Sequence, residues 1–259
     1  MPKNKSEKNI EPIAPQGLHE RVLKIIASLP GTTVLDAPTG HGALAHKLLE
    51  AGKHITAVDI NIEKFKAVRD HPDLRLIRLD MNETTLPLPD NSFDVAVSVE
   101  GIEHLQSQWS FVRNLWRVLK PGGYLIVSTP NILNIRSRLR YFMEGRYEHF
   151  KRPLVKDKSW LCDVENYHIS PISFFDLQFM LESSGFSIKK LYANRFAEKN
   201  VLSMLIKPVF RLFYLHKNYR DKKRNRGEHS DLYRTILLDE VFFGECLIVV
   251  AQKNPVAPG

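Results

Sequence analysis

Cysteine is nearly absent: the 259 residues hold only Cys162 and Cys246. Two cysteines cannot build a disulfide scaffold, and Cys246 sits inside the apolar run CLIVVA, so a reducing, cytoplasmic setting is expected. No uninterrupted apolar run reaches the roughly 18 residues that a spanning helix needs, so no segment is expected to cross a bilayer. The opening stretch MPKNKSEKNIEPIAP lacks an apolar core of signal-peptide length, and residues 1–16 read as a flexible leader. Negative charge is scarce in one region only. Residues 189–234 carry 13 Lys and Arg against four Asp and Glu, a surplus larger than the formal net charge of +8 for the whole chain. Any anionic partner is therefore to be sought in the C-terminal third. No recognised RNA-binding module accompanies that basic stretch, so nucleic acid ranks behind other partners.

An apolar content of 43% fits a globular protein, and the length suits one α/β domain with elaborations. The stretch the rest is arranged around is VLDAPTGHG, residues 34–42. A short apolar run stops at Asp36, turns through a loop with Gly40 and Gly42, enters a helical pattern, and reaches a second strand ending at Asp59. That is the layout of a nucleoside-binding βαβ unit, with glycines for close backbone approach and an acid placed to accept from a ribose.

Ahead of this unit, residues 17–29 carry apolar positions at helical spacing and end at Pro30-Gly31. After it, Asn61 is expected to cap a helix reaching about residue 69, and a third strand spans residues 74–79 before Asp80-Met81. Residues 95–99 are uncharged and suit a strand covered on both faces.

The loop Asp36-Ala37-Pro38-Thr39-Gly40-His41-Gly42 resembles motif I of the class I S-adenosylmethionine-dependent methyltransferases, usually written DxGxGxG, with Pro38 in the place of the first glycine. Asp90-Asn91-Ser92-Phe93-Asp94 resembles the family's DxSFD entry to strand four, and RVLKPGGYLIVSTPN its helix, Pro-Gly-Gly turn and fifth strand. HISPISFFDLQFMLESSGFSIKKL has the form of the late helix and sixth strand, and GECLIVVAQK that of the antiparallel seventh. The resemblance implies an α/β, Rossmann-like fold: a seven-stranded, mostly parallel sheet with an antiparallel last strand and helices on both faces. It implies a methyltransferase domain over residues 17–195 plus 234–253, with elaborations at 132–167 and 196–233. It implies S-adenosyl-L-methionine as cofactor, bound by Asp36, Ala37, Pro38, Thr39, Gly40 and Gly42, by Asp59 and Ile60 at the ribose, by Asp80 and Met81 at the adenine, and by Val99 and Glu100 in the crevice.

Beyond strand four, Glu100, Glu103 and His104 stand at i, i+3 and i+4 and share one face if a helical turn begins there. ExxEH in this place resembles two methyltransferase groups with a divalent ion, those of ubiquinone biosynthesis and those methylating the 3′-terminal ribose of small RNAs. The latter use a later histidine, to which His168 corresponds. Three roles stay open: Glu100, Glu103, His104 and His168 as metal ligands; Glu103, His104 and His168 as catalytic acceptor-side groups; or a structural role. In the first elaboration, Arg136, Arg138, Arg140, Arg146 and Arg152 alternate with aromatic residues, a composition suited to a lid over an anionic acceptor. In the second, 11 of the 15 residues 201–215 are apolar, and a basic run through residue 226 follows. That combination suits the headgroup region of an anionic membrane, at the inner face of the cytoplasmic membrane; a helix packed on the catalytic domain with a solvated basic tail fits the same residues. The expected activity is O-methylation of a small or lipid- or glycan-linked anionic acceptor. The alternatives are metal-dependent RNA ribose 2′-O-methylation and a non-catalytic cofactor- or membrane-binding protein.

Overall fold

A computed structural model describes residues 14–150, 167–196, 201–224 and 230–255. Residues 1–13 of the leader and Arg152 lie outside the described residues. The chain opens with helix α1 (Leu18–Ala27) and strand β1 (Thr33–Asp36), then α2 (Ala43–Glu50), β2 (His54–Asp59), β3 (Leu74–Arg78) and β4 (Phe93–Val99). It continues with α3 (Gln108–Val118), β5 (Leu119–Pro130), α4 (Ile135–Glu144), α5 (Phe174–Ser183) and β6 (Phe186–Ala193), and closes with α6 (Val201–Lys223), α7 (Ser230–Ile236), α8 (Asp239–Phe242) and β7 (Cys246–Lys253).

The seven strands form one sheet in the order β3-β2-β1-β4-β5-β7-β6. Neighbours pair in parallel except at β7, which runs antiparallel to both β5 and β6. Alternation along the strands sends side chains to two cores. Leu35 and Ala96 face one, with Phe111, Leu115 and Val118 of α3 and Leu177 and Leu181 of α5; Val34, Val95 and Val97 face the other, with Leu18, Val22 and Ile26 of α1 and Leu44 and Leu48 of α2. Both cores are continuous under the sheet's centre, where each fully buried Leu or Phe contributes about 1.5–3 kcal/mol.

Strand order reverses between β1 and β4, so their carboxyl ends open a crevice at the switch point of the sheet. Two local expectations change. No helix follows Asn61: a single 3-10 turn, Ile62–Lys64, ends where Phe65 becomes extended, and the Asn61 side chain caps nothing. The reason is Gly42, φ 79°, against which the Phe65 ring packs so closely that a Cβ there would overlap it. Pulling Phe65 down onto α2's first residue ends the helical turn. Likewise the Pro-Gly-Gly turn lies inside β5 rather than ahead of it: pairing with β4 passes from Phe93–Leu119 to Val95–Tyr124, so residues 120–123 bulge out between them, with Gly122 at φ 76°.

Candidate active site

The first crevice loop is pinned by backbone hydrogen bonds to strands on either side. Ala37 N donates to Val97 O (2.9 Å) and Thr39 N to Val58 O (2.9 Å), while Gly40 N donates to Asp59 Oδ2 (2.8 Å). Asp59 Oδ1 accepts from Asn61 N at 2.9 Å. Asp59 thus holds the turns after β1 and β2 together, and each oxygen keeps a lone pair for a further donor. Gly40 lies in the left-handed region (φ 56°), and a Cβ there would project into open space, so the loop offers bare backbone at that point. Pro38, joined to Ala37 by a cis peptide bond, packs against Gly101 so tightly that a Cβ on Gly101 would strike its ring. The proline that departs from the glycine pattern therefore fills a seat made by the loop after β4.

Asp36 is buried and accepts from Thr39 Oγ1 at 2.7 Å. Burial pushes its carboxyl up to about 7, against the Thr39 hydrogen bond and with help from the Asp59 charge. A buried acid held there gains from any cation brought beside it. Beyond β3, Asp80 Oδ1 accepts from Asn82 N (2.8 Å) and Nδ2 (3.1 Å), and Met81 is buried beneath it. Ile60 stands at the rim, 40% exposed, and Val99 packs partly into the α1–α2 core. These features fit a nucleoside carrying an amino-acid group: an acid for an ammonium, an acid for a ribose, and glycine backbone between them.

The acceptor-side residues follow β4. Glu100 has φ 49°, an uncommon backbone for a side-chain-bearing residue, and its N–H is tied to Ser128 O (3.3 Å) and Oγ (3.1 Å). Its carboxylate accepts from Ser128 Oγ (3.3 Å) and Cys246 Sγ (3.6 Å). Burial pushes the Glu100 carboxyl up to about 7, opposed by those two hydrogen bonds. Glu103 and His104 lie in the single 3-10 turn Ile102–His104, and the chain from Tyr167 to Ser170 comes to meet them. Ile169 N (3.1 Å) and Ser170 N (3.0 Å) donate to Glu103 O, and His104 Nδ1 donates to Tyr167 O at 3.0 Å. A carbonyl only accepts, so His104 Nδ1 carries a proton, and in the neutral ring Nε2 is the accepting nitrogen.

These backbone bonds bring His168 to the cluster. Its ring meets His104 edge-on at 4.7 Å and Phe150 at 5.3 Å between centroids. Ligand atoms of Glu103, His104 and His168 all lie within 4.8 Å of one another. Glu103 is fully buried, and among the described residues neither carboxylate oxygen has a hydrogen-bond partner, nor has His168 Nδ1. Burial, then the Glu100 charge, pushes the Glu103 carboxyl well above its usual range, with smaller lowerings from its own backbone N–H and from the Thr129 hydroxyl, which lies near without meeting hydrogen-bond geometry. Burial and the neighbouring His104 and His149 push His168 down to about 4, so it is neutral near pH 7. The four-residue metal set expected from the sequence is not assembled. Glu100 turns to Ser128 and Cys246 because the left-handed backbone at Glu100 breaks the helical register that would have aligned it with Glu103. Thr129, Cys246 and Tyr167 were not legible as site neighbours; only tertiary pairing of β5, β7 and the 167–170 segment puts them there.

The expected arginine lid is largely committed elsewhere. Arg140 pairs with Glu148 (3.0 Å) and Glu144 (3.7 Å), Arg146 with Glu144 (2.6 Å), and Arg138 lies over the Phe242 ring. Acids within the same elaboration neutralise these guanidinium groups. Arg136 is exposed, with no ion pair among the described residues.

Comparison with known proteins bears on the domain and the fold. Residues 35–127 match the family model described as a methyltransferase domain. A protein of Mycolicibacterium smegmatis described as a probable S-adenosylmethionine-dependent methyltransferase is 32% identical over 175 residues, which cover 66% of this chain and 58% of that one. The chain therefore spans little more than half of that relative. A ubiquinone biosynthesis O-methyltransferase of Vibrio vulnificus is 29% identical over 173 residues, covering 59% of this chain and 74% of that enzyme. In three dimensions the chain is similar to a SAM-dependent methyltransferase from Archaeoglobus fulgidus, with a TM-score of 0.55 at 19% identity, covering 91% and 92% of the two chains. Residues 35–127 therefore carry a methyltransferase domain, and the fold around it is one shared with a solved SAM-dependent methyltransferase.

Proposed function

We propose that the chain methylates an oxygen of a small or lipid- or glycan-linked acceptor, using Glu103, His104 and His168 on the acceptor side of the crevice. The observation that carries this reading is the convergence of those three side chains beyond β4, next to the loop Asp36–Gly42 pattern of the cofactor site. In this reading Asp59 accepts from the cofactor's ribose and Asp36 from its ammonium, with backbone of Ala37, Pro38, Thr39 and Gly40 along its length, Gly42 being covered by Phe65. Ile60, Asp80 and Met81 border the adenine, and Val99 and Glu100 the reacting end. The cofactor supplies an already activated methyl group, so the protein's share is alignment, exclusion of water and removal of the acceptor's proton. A hydroxyl near His104 Nε2 or His168 could pass its proton to a neutral imidazole, while the Nδ1 hydrogen bond to Tyr167 keeps His104 in the accepting tautomer. Similarity to an enzyme described as an O-methyltransferase supports an oxygen acceptor. The anionic character of the acceptor rests on Arg136, exposed in α4.

A second reading has its own observation. Glu103 is a buried carboxylate without a partner beside two imidazoles, a donor set suited to a divalent cation, which would polarise the acceptor oxygen. One assay separates the readings: transfer of labelled methyl to pools of quinone precursors, lipid-linked glycans, small phenols and short RNA, with and without chelator. We expect label in a non-RNA pool and a loss of about 10²–10⁴ in kcat for His168→Ala, with cofactor affinity kept. Loss of turnover in chelator, restored by Mg²⁺ or Mn²⁺, would establish the cation reading. Label confined to RNA would overturn the small-acceptor proposal, and cofactor binding without transfer to any pool would indicate a non-catalytic protein.

A further inference from the structure

Helix α6 is 23 residues long and has two unlike faces. One docks on the domain: Ile206 and Phe210 pack against Phe242 and Phe243, and the Phe210 and Phe242 rings meet at 5.5 Å. Tyr214 stacks on Tyr233 at 5.2 Å, and Asp221 accepts from Tyr233 Oη at 2.9 Å. Lys207 forms an ion pair with Asp239. Positions 206, 210, 214 and 221 recur at helical spacing, so they define a single inner face.

The opposite side carries Val209, Leu212, Leu215 and Tyr219, which are 64%, 69%, 59% and 66% exposed, with Phe213 at its edge. At 100° per residue these four occupy one arc directed away from the inner face. Basic residues border it. Arg211 lies on one flank and Arg220 on the other, and Lys223 and Arg224 occupy the last turn, all exposed. Across Val201–Lys223 there are six Lys and Arg and one acid, Asp221, which is turned to Tyr233. Among the described residues no helix is long and apolar enough to cross a membrane. A second apolar element shares the same anchor. α4 packs Ile135 against Phe242 and Phe243 and ends in Phe142 and Met143, 84% and 77% exposed.

We propose that the outer face of α6 lies in the headgroup region of an anionic membrane, with Val209, Leu212, Leu215 and Tyr219 buried among acyl chains and the flanking Arg and Lys on lipid phosphates. Charge complementarity selects this occupant. A partner covering the apolar arc must also neutralise a rim of cations on both flanks, and an anionic lipid surface supplies apolar depth and negative charge together. The docked inner face holds the helix ready, so little ordering cost remains on binding. Phe210, which the linear sequence groups with Phe213, faces the domain and belongs to the fold. The inference concerns α6 and does not depend on which acceptor is methylated.

Sedimentation of the full chain with vesicles of phosphatidylcholine, with and without phosphatidylglycerol, tests it. The expected result is binding only to the phosphatidylglycerol vesicles, weakened by salt, and about tenfold weaker in Leu212→Ser/Leu215→Ser/Tyr219→Ser, with an unchanged circular dichroism spectrum and thermal midpoint. Arg211→Glu/Arg220→Glu should also lose binding, showing that both halves of the face act. No binding to anionic vesicles at low salt overturns the proposal. So does a short RNA that binds with steep salt dependence while the serine variant binds vesicles as well as wild type, because the segment then acts through charge alone. A wild-type dimer that the serine variant converts to monomer, without vesicle binding, assigns the face to a second copy of the chain and likewise overturns it.

Discussion

Asp59 shows how one carboxylate can hold a crevice in shape. Its two oxygens hold Gly40 N and Asn61 N, and the position of both turns depends on them. Removing the side chain in Asp59→Ala should weaken S-adenosylmethionine by about 1.5–3 kcal/mol, since charge-assisted hydrogen bonds are lost. Calorimetry measures this directly, with a thermal melt to confirm that the variant is folded. An unchanged affinity would mean that the ribose is held elsewhere. Asp59 was legible because its distance from Gly42 and its place after an apolar run are local signals. The role of Gly42 was not. The sequence suggests room for a ligand, whereas the structure fills that space with Phe65 and leaves the open backbone at Gly40.

Strands of this sheet are joined at the end away from the crevice by an acid from the DxSFD stretch. Asp94 at the start of β4 accepts from Thr32 N (2.9 Å), Thr33 N (3.0 Å) and Thr33 Oγ1 (2.7 Å), all at the start of β1, and from Lys120 Nζ (2.7 Å) at the start of β5. Burial alone would raise its carboxyl, but these bonds outweigh burial and hold it well below the usual carboxylate range. A depressed folded value stabilises the fold at pH above the unfolded value of 3.8, and the contribution fades as acid takes the pH down through the folded value. Asp94→Asn should therefore cost about 1.5–3 kcal/mol near neutral pH and progressively less as the medium becomes acidic. Urea unfolding of both proteins across that range checks it, and a difference that does not shrink in acid would contradict the ion-pair account. The stretch resembles a family motif in the sequence, yet its last acid is a staple between strands. Spacing alone does not distinguish a staple from a site.

Across the whole molecule, the crevice draws on the ends of β1, β2, β3 and β4, so a bound cofactor ties together elements contributed by residues far apart in the chain. Cofactor at about 100 times its Kd should stabilise the native state by about 2.7 kcal/mol and raise the thermal midpoint by about 5–10 °C. Differential scanning fluorimetry reads the shift. A midpoint indifferent to the cofactor would place its binding outside this fold, and Asp59→Ala should show a smaller rise at the same concentration. The sequence by itself determined the βαβ unit at residues 33–59 and the late helix with its stripe of Phe174, Leu177, Met180 and Leu181, because these are written in local periodicity, turn residues and apolar runs, whereas the class of fold and the antiparallel last strand came through the resemblance of its motifs to a known family. Only the tertiary structure decided which charged groups meet. Backbone hydrogen bonds from Ile169 and Ser170 to Glu103 carry His168 to His104 across more than sixty residues of chain, while a left-handed backbone turns Glu100 toward Ser128 and Cys246. It also decided which side of α6 is inner and which is outer, since Phe210 and Leu212 are equally apolar in the sequence and only the docking of Phe210 on Phe242 leaves Leu212 facing out. Local signals end where long-range hydrogen bonds and packing choose among chemically similar residues.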